Sequence, residues 1–251
     1  MLSLASFAYT SIDFFSLLVV TLGVLVQARV GIGFALISAP ILFIIDPDFL
    51  PGPILILGFL LSLLLYISEK QGLSLALILP AIIARFPGSW AAVLVLVYLP
   101  SWLLSLMLGL SLLCASLVSL AKISIPVNRV NLFCAGFISG FAGTITSIGG
   151  PAIALMYQNQ PPEQARRALI GFFLLGTPIS ILLLMTSGSI SLNAYVLSIK
   201  MLPGVLVGFL CSRYSGLSSL VPSKTVLILL SSISALVIIL KAFINLYLLD
   251  T

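Results

Sequence analysis

The stretch Gly140-Phe141-Ala142-Gly143-Thr144-Ile145-Thr146-Ser147-Ile148-Gly149-Gly150-Pro151-Ala152 interrupts an apolar run from Val130 to Tyr157 with glycines, hydroxyl residues and a proline. A run of about 30 residues is short for two membrane spans of about 20 each. It fits a re-entrant hairpin, two shortened helices meeting at a tip near Gly143 to Ser147. Non-helical backbone within a bilayer is tolerated only where protein buries it or a wet cavity faces it. The stretch therefore points to a site.

The run from Phe14 to Ile45 has the same design. Val30-Gly31-Ile32-Gly33 leads to Ser38-Ala39-Pro40-Ile41, which places a first tip near Gly31-Ile32-Gly33. Pro40 and Pro151 are 111 residues apart. Gln71-Gly72 and Ser187-Gly188, like Pro87-Gly88 and Pro203-Gly204, are 116 apart. Features recurring in one order suggest two related halves, 1–125 and 126–251, joined near Lys122 to Arg129. In each half a polar loop follows the hairpin (Asp46 to Pro53, Gln158 to Arg167). Three segments then complete the half, at 54–68, 74–98 and 102–121, and at 168–186, 190–213 and 225–247. The middle segments carry the Pro-Gly pairs, where kinked or broken helices are expected. The expected fold is all-α and polytopic.

Composition agrees. Hydrophobic residues make up 61% and charged residues 7%, against about 25% charged in soluble domains. So few charges cannot coat a soluble surface. The net charge of +5 is scattered singly, with no nucleic-acid-binding patch. Cys114, Cys134 and Cys211 lie in or beside apolar segments without C-x-x-C spacing, and there is no histidine. They read as packing residues, and no metal or cofactor is expected. No H-E-x-x-H or G-x-S-x-G pattern supplies catalytic residues, so an enzyme is not expected. The N-terminus lacks a basic region before its first apolar run and reads as a membrane segment rather than a cleaved signal.

A hairpin plus three spans is an odd number of crossings, which would invert the second half. Lys and Arg favour the cytoplasmic side, which tests this. With the Glu69-Lys70 loop inside, Lys70, Lys122, Arg129, Arg166, Arg167, Arg213 and Lys224 all fall inside. Asp13, Asp46, Asp48 and Asp250 fall outside, with both termini. Counting each hairpin as two full spans leaves these sides unchanged.

Arg29, Arg85, Lys200 and Lys241 remain within apolar segments. Lys241 lies near a helix end and can snorkel to the interface. The other three sit beside expected helix interruptions, and every acid reads as a loop or terminal residue. A cation at the bilayer centre costs about 2.5–3.5 kcal/mol and needs a partner. Broken-helix carbonyls or wet crevices could serve, in a structural role. The sharper alternative is that the missing negative charge is a substrate. Helix N-termini at the tips would offer amide donors and a positive dipole end. Thr144, Thr146, Ser147 and Ser38 would add hydroxyls. Gly31, Gly33, Gly149 and Gly150 would allow close approach, or serve only tight packing.

At these residues the chain resembles the sulfite exporter (TauE/SafE) family of membrane transporters. The resemblance rests on Gly31-x-Gly33 with Ser38-Ala39-Pro40, and on Gly136-Phe137-x-x-Gly140-x-x-Gly143 with Gly149-Gly150-Pro151. It continues through Tyr157, Gln160-Pro161-Pro162, Arg166 or Arg167, and Phe172-Phe173. It implies movement of sulfite, organosulfonates or related sulfur oxyanions across a bacterial-type inner membrane.

The expectation is a secondary transporter of two inverted repeats working by alternating access. A small anion would bind at the midplane among Arg29, Arg85, Lys200, Thr144, Thr146 and Ser147. Its partners are the anion and the lipid bilayer, with a homodimer left open and no nucleic acid. The alternatives are a non-transporting membrane scaffold, against which the short loops argue, and a carrier of another small solute.

Overall fold

The computed structural model describes residues 8–69, 75–120, 125–213 and 224–249. Lys70, Gln71-Gly72, Lys122, Asp250 and most of the Arg213 to Lys224 stretch lie outside them. Ten α-helices follow one another, with a 3-10 turn at Pro47–Phe49: α1 Ser11–Val30, α2 Phe34–Ile45, α3 Gly52–Ser68, α4 Leu75–Leu96, α5 Ser101–Leu120, α6 Arg129–Thr146, α7 Gly150–Tyr157, α8 Pro162–Thr186, α9 Leu192–Ser212 and α10 Lys224–Leu249. Six of these, α1, α3, α4, α5, α8 and α9, are long and apolar enough to cross a membrane. This is a multi-pass membrane protein.

The two interrupted runs are unequal hairpins rather than pairs of matched short helices. α1 has 20 residues and α2 has 12; α6 has 18 and α7 only 8. The first tip falls where expected, with Gly31 at φ 88° and Gly33 at φ 135°. The second lies slightly later than expected. Gly143, Thr144 and Thr146 are inside α6, and Ser147 turns the chain at φ 63°. That left-handed conformation is uncommon for a residue with a side chain. Gly31-Ile32-Gly33 and Ser147-Ile148-Gly149 are thus the tips of the two hairpins, 116 residues apart like the Pro-Gly pairs. Pro40 and Pro151 are not matched positions, because Pro40 lies within α2 and Pro151 opens α7.

Neither Pro-Gly pair breaks its helix; α4 and α9 run through them. Their glycines are seats for other helices. A Cβ on Gly88 would lie 2.3 Å from the Phe137 carbonyl oxygen of α6, and one on Gly204 would lie 3.0 Å from the Leu17 carbonyl oxygen of α1. The packing is reciprocal. α4 lies along α6 as α9 lies along α1, and α3 and α8 pack on each other between them.

α4 shows how the sequence sets this orientation. Leu79, Ile83, Phe86, Trp90 and Leu94 are exposed, and Ile78, Ala81, Ala84, Arg85, Ser89 and Ala92 are buried. Large apolar residues face outward, where lipid lies, and small or polar ones face the helix neighbours. α8 begins at Pro162, so Arg166 and Arg167 belong to its first turns rather than to a loop. Arg166 forms an ion pair with Glu69 at the end of α3 and donates from Nε to the Ala28 carbonyl of α1 at 3.0 Å. At another set of helix ends, Asp48 Oδ2 accepts from Asn193 Nδ2 at 2.9 Å and from Ser191 Oγ at 3.4 Å.

Candidate functional site

Arg85 lies midway along α4 with only 1% of its surface exposed. Residues spaced four apart on α8 hold it. Its Cζ sits 4.9 Å from the centroid of the Phe172 ring. Gly176 leaves room for its stem, since a Cβ there would be 2.6 Å from Arg85 Cδ. Ser180 Oγ accepts from Arg85 Nε at 3.4 Å and Nη2 at 3.3 Å.

Ser180 is the hub of a buried hydroxyl network. Thr144 Oγ1 donates to it at 2.9 Å, the Ser89 hydroxyl is 3.0 Å away, and Ser89 donates to the Gly140 carbonyl at 3.4 Å. With Arg85 and Thr144 occupying its lone pairs, Ser180 gives its proton to Ser89. Arg85 Nη1 is buried and has no hydrogen-bond partner, and Arg85 forms no ion pair among the described residues. A desolvated cation–π contact is worth about 2 kcal/mol, and hydrogen bonds between a charged group and a hydroxyl about 1.5–3 kcal/mol each. Neither supplies negative charge. The guanidinium is held but not neutralised.

Arg85 lines a cavity of about 40 Å³ between the two tips. A single water needs roughly 10–15 Å³, so a small solute fits. The first turn of α2 contributes Gly33 to Leu36, and the second tip with the start of α7 contributes Ser147 to Pro151. Two helix N-termini therefore line one cavity with one guanidinium. First-turn amides have no partner within their own helix and carry the positive dipole end. One is already engaged, because Phe34 N donates to Gln27 Oε1 at 3.3 Å. α7 has no side-chain cap. Thr177 and Phe173 of α8 complete the wall nearest Arg85.

Of the residues expected from sequence, Gly33, Arg85, Ser147, Gly149 and Gly150 line this cavity. Ser147 spends its hydroxyl on the Pro51 carbonyl at 3.0 Å. Thr144 lies behind Arg85 in the hydroxyl network. Ser38 is turned away, donating to the Val19 carbonyl of α1 at 3.4 Å. Thr146 bonds back to the Ala142 carbonyl at 2.8 Å and accepts from Ile148 N at 3.3 Å. Gly31 caps α1 against Arg166 and Leu169.

The three cations do not converge. Arg29 lines a separate cavity beside the first tip. Lys200 Nζ donates to Asp13 Oδ2 at 2.7 Å and to the Ala8 carbonyl at 2.8 Å, 5.5 Å from the Tyr9 ring centroid. From sequence Asp13 read as an N-terminal residue with no intramembrane cation in reach, and the structure pairs it with Lys200. Asp13 sits buried in the first turn of α1, in a capping box with Thr10. A helix N-terminus favours a carboxylate, so the acid is part of the helix it caps. Sequence reasoning also missed Ser180, Ser89, Thr177 and Gln27. The spacing Phe172, Gly176, Ser180 was a usable signal, since steps of four share one helix face.

Fold and cavity together define a multi-pass helical membrane protein with a largely apolar cavity between two hairpins that carries one guanidinium. The chain matches the sulfite exporter TauE/SafE family over residues 16–241, and it belongs to that family of membrane transporters, which are not enzymes. No curated protein and no solved structure matches it significantly.

Proposed function

We propose that this transporter carries a small anion, a sulfur oxyanion such as sulfite or an organosulfonate, by alternating access around the cavity at Arg85. One observation carries the reading: a buried, unneutralised guanidinium with an unpartnered Nη1 on a cavity that two helix N-termini also line. An anion in that cavity supplies the charge Arg85 lacks, and it meets Gly33, Ser147, Gly149 and Gly150 at the tips. The family's name supports a sulfur oxyanion as cargo. Lys200 is already neutralised by Asp13 and serves structure in this reading.

The two halves, 1–125 and 126–251, act as inverted repeats in this mechanism, with the hairpins rocking against the remaining helices. The matching tips and the reciprocal packing of α4 on α6 and α9 on α1 support that arrangement. The distribution of basic residues supports an inner membrane orientation with Glu69 and Arg166 on the cytoplasmic side.

The test is sulfite exchange in liposomes reconstituted with the wild type and with Arg85→Gln, each checked for a monodisperse, folded protein. Exchange should be lost in the variant. Wild-type exchange by folded Arg85→Gln would end the anion-site reading.

A further inference from the structure

Ile32 and Pro151 line the central cavity on one side and a second, larger cavity of about 460 Å³ on the other. Pro151 borders a third cavity as well, so Ile32 is the partition particular to this pair. Ile32 is seated on the second hairpin, where a Cβ on Gly150 would lie 3.4 Å from Ile32 Cγ2. Its chain neighbours, Gly31 and Gly33, both have positive φ, so Ile32 sits between two residues of wide conformational freedom.

Beyond this partition the lining is again mostly apolar, with a second cation set into it. Arg29, Gln158, Gln160 and Tyr157 bring polar groups to the larger cavity, and its described lining holds no Asp or Glu. The cavity lies at the start of α8, the end where Arg166 pairs with Glu69. A third cavity, of about 390 Å³ between α5, α6 and α7, has an almost wholly apolar lining and suits lipid rather than an ion.

We propose that the Arg29 cavity is the vestibule of the central site, with Arg29 capturing the anion and Ile32 against Gly150 closing the way inward. This rests on the anion reading of the Arg85 cavity and adds a second binding station and a route. A cation in a concave, acid-free wall concentrates anions and excludes cations before the narrow step. Gln158 and Gln160 add amide donors to an oxyanion held there. The glycines either side of Ile32 let it swing without moving α1 or α2.

The test uses the full chain with its three cysteines replaced by alanine and a single cysteine introduced by Ala154→Cys, at a residue of the larger cavity alone. An anionic sulfonatoethyl and a cationic trimethylammonioethyl methanethiosulfonate are the probes. The anionic probe should react about tenfold faster relative to its reaction with free thiol, and Arg29→Gln should abolish that preference. Blocking the same cysteine as a thioether with N-ethylmaleimide, which sulfite does not cleave as it would a mixed disulfide, should then stop sulfite exchange, whereas the same modification after Ile138→Cys, in the apolar cavity, should not. Ile32→Ala should speed modification of a cysteine from Thr177→Cys in the central cavity.

Equal rates for the two probes, or a preference that survives Arg29→Gln, would overturn the capture site. Undiminished exchange after modification at position 154 would overturn the route, and an unchanged rate at position 177 would overturn the door. If unmodified protein moves no sulfite yet the Arg29-dependent preference holds, the capture site stands and the sulfite reading falls.

Discussion

Lys200 Nζ meets Asp13 Oδ2 at 2.7 Å, joining the middle of α9 to the first turn of α1, with both side chains nearly buried. This pair separates Lys200 from Arg85, which occupies nearly the same place in α4 relative to its Pro-Gly but meets no acid among the described residues.

Breaking that pair from one side should be costly. Lys200→Met leaves Asp13 buried and charged, and loss of one partner of a buried pair costs about 3–5 kcal/mol. Thermal unfolding of detergent-purified protein should show a large fall for Lys200→Met and a substantial recovery in Asp13→Asn/Lys200→Met. Sulfite exchange in the double variant should match wild type. An exchange defect there would return Lys200 to the site.

Gly176→Ala places a methyl 2.6 Å from Arg85 Cδ. Overpacking of this kind costs about 1–3 kcal/mol, and here it displaces the guanidinium from its seat. Equilibrium sulfite binding should weaken by about tenfold or more, since 1.4 kcal/mol is one decade. Unaltered affinity would show that the position of Arg85 is not what sets binding.

Ser180→Ala removes the acceptor of two Arg85 donors and of Thr144, and leaves Ser89 without its neighbour. Unsatisfied buried polar groups cost about 1–3 kcal/mol. Both the unfolding temperature and sulfite affinity should drop, more than in Ser111→Ala, whose hydroxyl lies in the apolar cavity away from Arg85.

The glycines that seat one helix on another should rank by the room behind them. A Cβ on Gly136 or Gly88 would sit 2.1 or 2.3 Å from a backbone oxygen, and one on Gly204 3.0 Å. Gly136→Ala and Gly88→Ala should therefore destabilise α4 against α6 more than Gly204→Ala destabilises α9 against α1. The reverse order in unfolding measurements would contradict this packing.

Asp48 and Glu163, both exposed, report sidedness. In the cysteine-free protein, Asp48→Cys and Glu163→Cys should react with an impermeant maleimide from opposite faces of oriented vesicles, Glu163→Cys from the cytoplasmic face. Reaction from one common face would refute the inverted arrangement.

Much of this was legible along the chain because it depends on local properties. Runs of apolar residues of spanning length reveal membrane helices whatever their neighbours. Gly31-Ile32-Gly33 reads as a break because glycines adopt conformations that end a helix. The Pro-Gly pairs misled because a glycine that loosens a helix and one that seats a neighbouring helix look alike in sequence. Gly88 against Phe137 and Gly204 against Leu17 are the second kind.

Read along the chain alone, the residues place this protein in a membrane and put Arg85 where a charge is expensive. Which cations find acids was set by the packing of distant helices. Asp13 reaches Lys200 across 187 positions of sequence, and none reaches Arg85 among the described residues. Solvation cost is a property of one residue and its segment, whereas neutralisation needs two groups within a few ångströms, brought together by helices far apart in sequence.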